Sequence, residues 1–503
     1  MSAVESEPAA GIPYGTRLGQ LAGRLGRATA VTLVAEDGSE RTVGWEELER
    51  RSNQLARVFA AHGLGVGEFL AICLKNSVEH LLAGFAGWKV GAVVVPIRWD
   101  LPDWERDRLM AVLRPALVAE AGTLSLFEES TDESTDPLPD VVSPRGWGVC
   151  SSGSTGTPKI IVQKAPALYD LSTAVTSAVV AYYGPMDPDQ RVLCPAPIYH
   201  TNGFTAFRTL LHGDVIVMMQ RFKAEVALDL VERHRITGFI AATPMLQRMV
   251  QTDGIERRDL SSLSWVQQGA APLPRWLGQR WIDLVGPEHF YMSYGSSEQI
   301  GLVVCRGDEW LTHPGTLGRG MSETEVRILG PDGDVLATGE IGAIFLRSPT
   351  GPQASYVGDD VTPMEETDDC FHSVGDLGWL DEDGFLFMAD RRVDMIVTGA
   401  ANVYPAEVEA ALSEHPGIVD VVIIGLRDPE WGRRVHAIVQ PVDPSLDPES
   451  VIAYAKERLA PYKAPKSVEF VESIPRTEAT KFNRAALVAE RDSPDNDGRG
   501  PPV

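Results

Sequence analysis

The run Ser151-Ser152-Gly153-Ser154-Thr155-Gly156-Thr157-Pro158-Lys159 is the segment of this 503-residue chain best suited to chemistry. Its glycines leave the backbone free to fold tightly, so that successive N–H groups converge on an anion. The hydroxyl side chains add donors, and Lys159 adds a mobile positive charge. The GxxxxGK[ST] spacing of the common nucleoside-triphosphate loop is absent. A flexible Gly/Ser linker, for its part, would not need a lysine just past a glycine and a proline. The chemistry expected here is phosphate binding, on a bend that the preceding strand-like Gly148-Val149-Cys150 must position.

Composition excludes several classes. Apolar residues make up 44% and charged residues 23%, ordinary globular usage, so wholesale disorder, collagen and coiled coil drop out. The net charge of −25 argues against non-specific binding to nucleic acid or anionic lipid. Five scattered cysteines without a CxxC pair read as reduced thiols of a cytoplasmic protein. The acidic N-terminus lacks the layout of a signal peptide. The longest apolar stretch, 80–97, contains Lys89 and Pro96 and reads as a buried helix followed by a strand, so no membrane span is expected.

Periodicity supplies the elements. Leu48, Leu55 and Phe59 recur at helical spacing from Glu46, with Gly63 at the C-terminal cap. A strand over 69–74, a helix capped at Asn76 or Ser77, and a strand over 92–95 follow; strand and helix alternate again over 215–219, 225–234, 239–241 and after Pro244. Such alternation implies parallel βαβ units. Residues 123–144 are acidic, Ser/Thr/Pro-rich and aperiodic, predicting a solvated loop, and 323–347 predict short strands. A helix from Pro405, strands over 419–426 and 435–440, a helix over 448–459 and a strand over 468–471 form a small unit. The expected fold class is α/β. A large N-terminal domain, 1–391, has parallel or mixed sheets, flanking helices and a β-rich section. A small mobile α+β C-terminal domain, 392–491, and a disordered tail, 492–503, follow it.

Further motifs stand in order along the chain: Pro195-Ala196-Pro197-Ile198-Tyr199-His200-Thr201-Asn202-Gly203, Gly269-Ala270-Ala271-Pro272-Leu273, Tyr294-Gly295-Ser296-Ser297-Glu298, Gly375-Asp376-Leu377-Gly378, Asp390-Arg391 with 399–405, and Pro475 to Lys481. With the 151–159 loop they resemble the adenylate-forming (ANL) superfamily of acyl-CoA synthetases, adenylation domains and luciferases, over about residues 42–485. That resemblance implies ATP-dependent activation of a carboxylic acid to an acyl-adenylate, with release of pyrophosphate. The acyl group then passes to the thiol of coenzyme A or, alternatively, to a carrier-protein thiol or an amine.

The resemblance also implies roles. The loop would hold phosphates, with Thr155 and Lys159 taking part; Glu298, with Thr155, would serve Mg²⁺. Asp376 and Arg391 would bind ribose or phosphate, and Gly269 to Pro272 with Tyr294 would wall the adenine, beside Gly295, Ser296 and Ser297. His200, Asn202, Gly203, Phe204 and Gly269 would line the acyl pocket. Lys481, on the small domain, would bridge carboxylate and α-phosphate. Domain rotation would then rebuild the site for thioester formation. The stretch after Asn202 carries no acid to bind an ammonium, which favours an apolar aliphatic, aromatic or alicyclic acid without an α-amino group. Three positions depart from the family pattern: the hinge residue is Val393, the usual Gly-Gly of the CoA channel is Gly399-Ala400-Ala401, and Thr480 precedes Lys481. An oligomer is compatible with all of this.

Overall fold

The computed structural model describes residues 11–151, 159–171, 175–358, 363–391, 394–398, 401–429, 431–476 and 482–492. Its largest sheet has nine strands. The central five, Val215–Met219, Arg191–Cys194, Gly238–Ala242, Trp265–Gly269 and Phe290–Gly295, run parallel and end towards one edge. A three-stranded parallel sheet, Val93–Pro96, Phe69–Cys73 and Leu117–Glu120, lies nearby. The β-rich section is a six-stranded antiparallel sheet that contains Gly342–Arg347, Asp376–Leu380 and Leu386–Arg391.

The helix Val78–Lys89 is apolar on every side and accordingly buried on every side, with Leu81, Leu82, Phe85 and Trp88 in the core. Ser77 caps it by accepting from the His80 amide. Gly84 is required there, because a Cβ would stand 2.4 Å from the Phe207 ring. This contact fixes the site-bearing helix Thr201–His212 against the core. The Lys89 ammonium would be costly in this interior, and Glu49 meets it at 2.7 Å.

His80 is fully buried; its Nδ1 faces the Leu74 carbonyl, and its Nε2 has no hydrogen-bond partner among the described residues. Burial lowers its pKa from 6.5 to about 4, against the pull of backbone hydrogen bonds. The unfolded chain therefore takes up a proton that the folded protein refuses. The stabilisation is complete above pH 6.5 and is lost as pH falls towards about 4. Between pH 7 and about pH 5 this group should remove about 2 kcal/mol. Urea midpoints should fall less over that interval in His80→Gln than in the parent; parallel curves would refute the assignment.

The expectation of a solvated loop over 123–144 fails. The 123–144 loop contains a short helix, Ser125–Glu129, and a 3₁₀ turn, Ser130–Asp132. It is tied down by side chains of the helix Trp45–Ala61: Gln54 donates to the carbonyls of Thr131 and Glu133, Asn53 to Thr135, and Arg57 to Ser134. Composition could not show these donors, because they come from another element.

The small domain pairs Ile418–Asp428 antiparallel with Gly432–Pro441, which pairs parallel with Ser467–Phe470. The helices Pro405–Leu412, Pro448–Arg458 and Arg484–Arg491 cover this sheet. Asp390, at the end of the large domain, accepts from the Ala406 amide and so caps the first of these helices. Asp492, expected to begin the disordered tail, instead accepts from the Arg427 amide at 2.8 Å; residues 493–503 lie outside the described residues. No described helix is long and apolar enough to cross a membrane.

Candidate active site

The phosphate-loop segment joins two paired strands. Gly148–Ser151 and Lys159–Gln163 are antiparallel, with Ser151 opposite Lys159. Ser152, Gly153, Ser154, Thr155, Gly156, Thr157 and Pro158 connect them and lie outside the described residues. A third strand, Ala354–Val357, pairs with the second and brings Tyr356 to Lys159, whose Nζ lies 4.7 Å from the ring centroid. The Tyr356 hydroxyl donates to Glu298 Oε1 at 2.8 Å. Burial raises the Tyr356 pKa, and the Glu298 charge and hydrogen bond raise it further. Tyr356 thus remains a neutral donor that holds Glu298 near the loop's lysine. Sequence reasoning missed it, since a lone tyrosine in a short strand carries no motif.

The Gly269–Pro272 segment leaves the end of the parallel strand Trp265–Gly269. Ala270 has φ of 76°, a left-handed conformation that is uncommon without glycine and costs about 1–3 kcal/mol. Two side chains hold this bend. Gln268 Nε2 donates to the Ala271 carbonyl at 2.5 Å and to Thr243 Oγ1 at 2.9 Å, while Thr243 Oγ1 donates to the same carbonyl at 3.2 Å. Neither side chain stands out in the sequence. Opposite, Tyr294 donates to Asp376 Oδ2 at 2.8 Å, which fixes a buried carboxylate beside the expected adenine wall. Asp376 stands in register with Arg391 on the adjoining strand. Ser296 Oγ is buried without a hydrogen-bond partner among the described residues, a polar atom suited to a bound polar ligand.

His200 occupies the N-cap position of the helix Thr201–His212 and lines the cavity with Asn202 and Phe204. A Cβ on Gly269 would lie 3.8 Å from Asn202 Oδ1 and 3.3 Å from Ser293 Oγ, so the helix Thr201–His212 and the Gly269 bend adjoin. Gly203 does not line the cavity. Its role is close packing, because a Cβ there would come within 1.9 Å of the Pro197 carbonyl oxygen. Trp147 stacks on Phe204 with centroids 4.2 Å apart, which makes the adjoining wall aromatic.

These residues border one cavity of about 2360 Å³. Lys159, His200, Asn202, Phe204, Gly269 to Pro272, Tyr294 to Glu298 and Asp376 all line it. The small domain closes part of it. Gln247 donates to the Val419 carbonyl at 3.3 Å, and Trp276 Nε1 to Ser413 Oγ at 3.1 Å, across the domain boundary. Lys481 lies outside the described residues, but Arg476 and Phe482 on either side of its segment line the cavity. Arg476 is anchored to Asp420 at 2.6 and 2.8 Å. Val393, Gly399 and Ala400 are also outside the described residues. Ala401 belongs to the hairpin of Ile396–Thr398 with Ala401–Val403 and is not brought to the cavity wall.

No group of three or more His, Cys, Asp or Glu side chains that could hold a metal occurs among the described residues. Glu298 is a hard oxygen donor positioned near Lys159, and such a set fits Mg²⁺ shared with phosphate oxygens better than a cation held by protein alone. The site therefore brings together a lysine, two hydrogen-bonded carboxylates and an aromatic wall.

The family model described as "AMP-binding enzyme" matches residues 20–144 and 149–354, and that for the "AMP-binding enzyme C-terminal domain" matches 407–481. A feruloyl-CoA synthase of Amycolatopsis sp is 32% identical over 474 residues, which cover 90% of this chain and 94% of the relative. A 2-succinylbenzoate–CoA ligase of Bacillus velezensis is 30% identical over 480 residues, 91% and 94% of the two chains. Among solved structures, o-succinylbenzoate CoA synthetase from Bacillus subtilis, in complex with its acyl-adenylate intermediate, superposes with a TM-score of 0.80 at 27% identity. That superposition covers 95% of this chain and 98% of the other. The motifs, the two-domain fold and these matches agree: the chain belongs to the AMP-binding enzyme family, as an AMP-forming acid–thiol ligase of the acyl-CoA synthetase type.

Proposed function

We propose that this protein uses ATP and Mg²⁺ to activate a carboxylic acid lacking an α-amino group and passes the acyl group to coenzyme A in the cytoplasm. A carboxylate resists nucleophiles because attack adds charge to an anion. In the first step its oxygen attacks the α-phosphorus and pyrophosphate departs. In the second, a thiol loses its proton, its sulfur attacks the acyl carbon, and AMP departs. The first step brings two anions together, so the site must supply cations and donors where charge accumulates. Lys159 and the 151–158 backbone would take the terminal phosphates, Glu298 would hold Mg²⁺, and Asp376 would accept from the ribose hydroxyls. Mg²⁺, when bound, neutralises phosphate charge. Lys481 would orient the carboxylate against the α-phosphate.

The observation that carries this reading is the convergence of two hydrogen-bonded pairs on one cavity: Tyr356 with Glu298, and Tyr294 with Asp376, beside Lys159 and the Gly269 bend. The absence of an acid on the helix Thr201–His212 supports a substrate without an ammonium group. Exchange of pyrophosphate into ATP over a panel of acids, followed by CoA addition, tests it. Acid-dependent exchange and an acyl-CoA mass are expected. Exchange with transfer only to a phosphopantetheinylated carrier or an amine would reassign the acceptor, and no exchange with any acid would reject the reading.

A further inference from the structure

We propose that the activated acid carries a second anionic group and that Arg208 binds it; this rests on the acid-activating reading above. Thr201, Thr205 and Arg208 stand at i, i+4 and i+7 of the helix Thr201–His212, and all three line the cavity. The helix turns its other side, Ala206 and Leu210, into the core. Arg208 is exposed to solvent and lies on the wall of the same cavity that His200 lines.

The charge has no structural duty in the described protein. Arg208 makes no hydrogen bond or ion pair with a described residue. The helix's final carbonyls are already served by Arg17, whose Nε donates to Leu211 and whose Nη2 donates to His212. Arg17 also lies over the Tyr169 ring. Asp170, which has interactions of its own, also lines the cavity. The Tyr14 phenol feels the Arg208 charge: burial raises its pKa and that charge lowers it. A neutral phenol is no counterion.

A guanidinium beside aromatic surface is best matched by a carboxylate, which it grips through two parallel N–H donations. Seven residues separate Arg208 from Thr201, a rise of roughly 10 Å along the helix. The favoured substrate is thus an acid with an apolar body and a second carboxylate beyond it. The aromatic wall of Trp147 and Phe204 would receive the body.

The test compares free diacids with their monoesters in ATP–pyrophosphate exchange: suberic acid and 4-carboxycinnamic acid, each against its monomethyl ester. At least one diacid should exceed its ester by tenfold or more in kcat/KM. Arg208→Gln should bring that ratio to about one, mainly through KM for the diacid, and Arg208→Lys should keep part of it. Because the ratio is taken within each enzyme, general damage to folding cancels. Ratios near or below one in the parent, or a ratio untouched by Arg208→Gln, would overturn the assignment while exchange itself upholds the parent reading. A change confined to KM for CoA would also overturn it, since exchange contains no CoA. Silence across all acids removes both readings together.

Discussion

Replacing Lys481 by alanine will lower acyl-adenylate formation by on the order of 10²–10³-fold, the loss typical when a donor to developing transition-state charge is removed. ATP binding and thermal stability will change little. The reason is where the lysine's neighbours lie. Arg476 is pinned to Asp420, and Arg484 on the other side donates to Glu409 at 2.5 Å and to the Ile423 carbonyl at 3.2 Å. The small domain therefore anchors the described residues on either side of 477–481, and Arg476 and Phe482 line the cavity shared with Lys159 and Glu298. Single-turnover formation of the acyl-adenylate isolates the step. Thioester formation from added acyl-adenylate should survive in the variant. If adenylation proceeds at the parent rate, the cation that bridges the two anions must lie elsewhere.

Glu298→Gln will lower exchange by roughly 10–100-fold at limiting magnesium, as expected for losing one charged interaction worth about 1.5–3 kcal/mol. The half-saturating magnesium concentration will rise correspondingly. Glutamine keeps the shape and an oxygen that can still accept from Tyr356, so the strand Ala354–Val357 and the Lys159 contact should be retained. The variant thus separates the carboxylate's charge from its structural bond. A magnesium titration superimposable on the parent's would show that Glu298 serves only to hold Tyr356.

Much of this site is legible in residue types and their spacing. The 151–159 run raises an expectation of phosphate binding from residue type alone, because glycine freedom, hydroxyl donors and one lysine are local properties. The strand Val215–Met219 and the helix from Pro405 are legible for a similar reason: burial imposes a period on neighbouring residues, and proline starts helices. The expectation for 123–144 fails because its carbonyl partners, Asn53, Gln54 and Arg57, sit on a helix seventy or more positions earlier. Gly203, expected in the acyl pocket, is a packing residue, a distinction that depends on the Pro197 carbonyl facing it.

From its own residue order, the chain determined its alternation of strands and helices and the succession of its motifs. Each of these is set by interactions within a few residues of backbone. Tertiary structure alone decided that Tyr356 joins Lys159 to Glu298, that Gln268 and Thr243 hold Ala270 in a left-handed bend, and that Arg208 faces the cavity. Those relations depend on strand pairing and helix rotation between distant segments, where direction and distance, which local spacing does not encode, determine what a side chain meets.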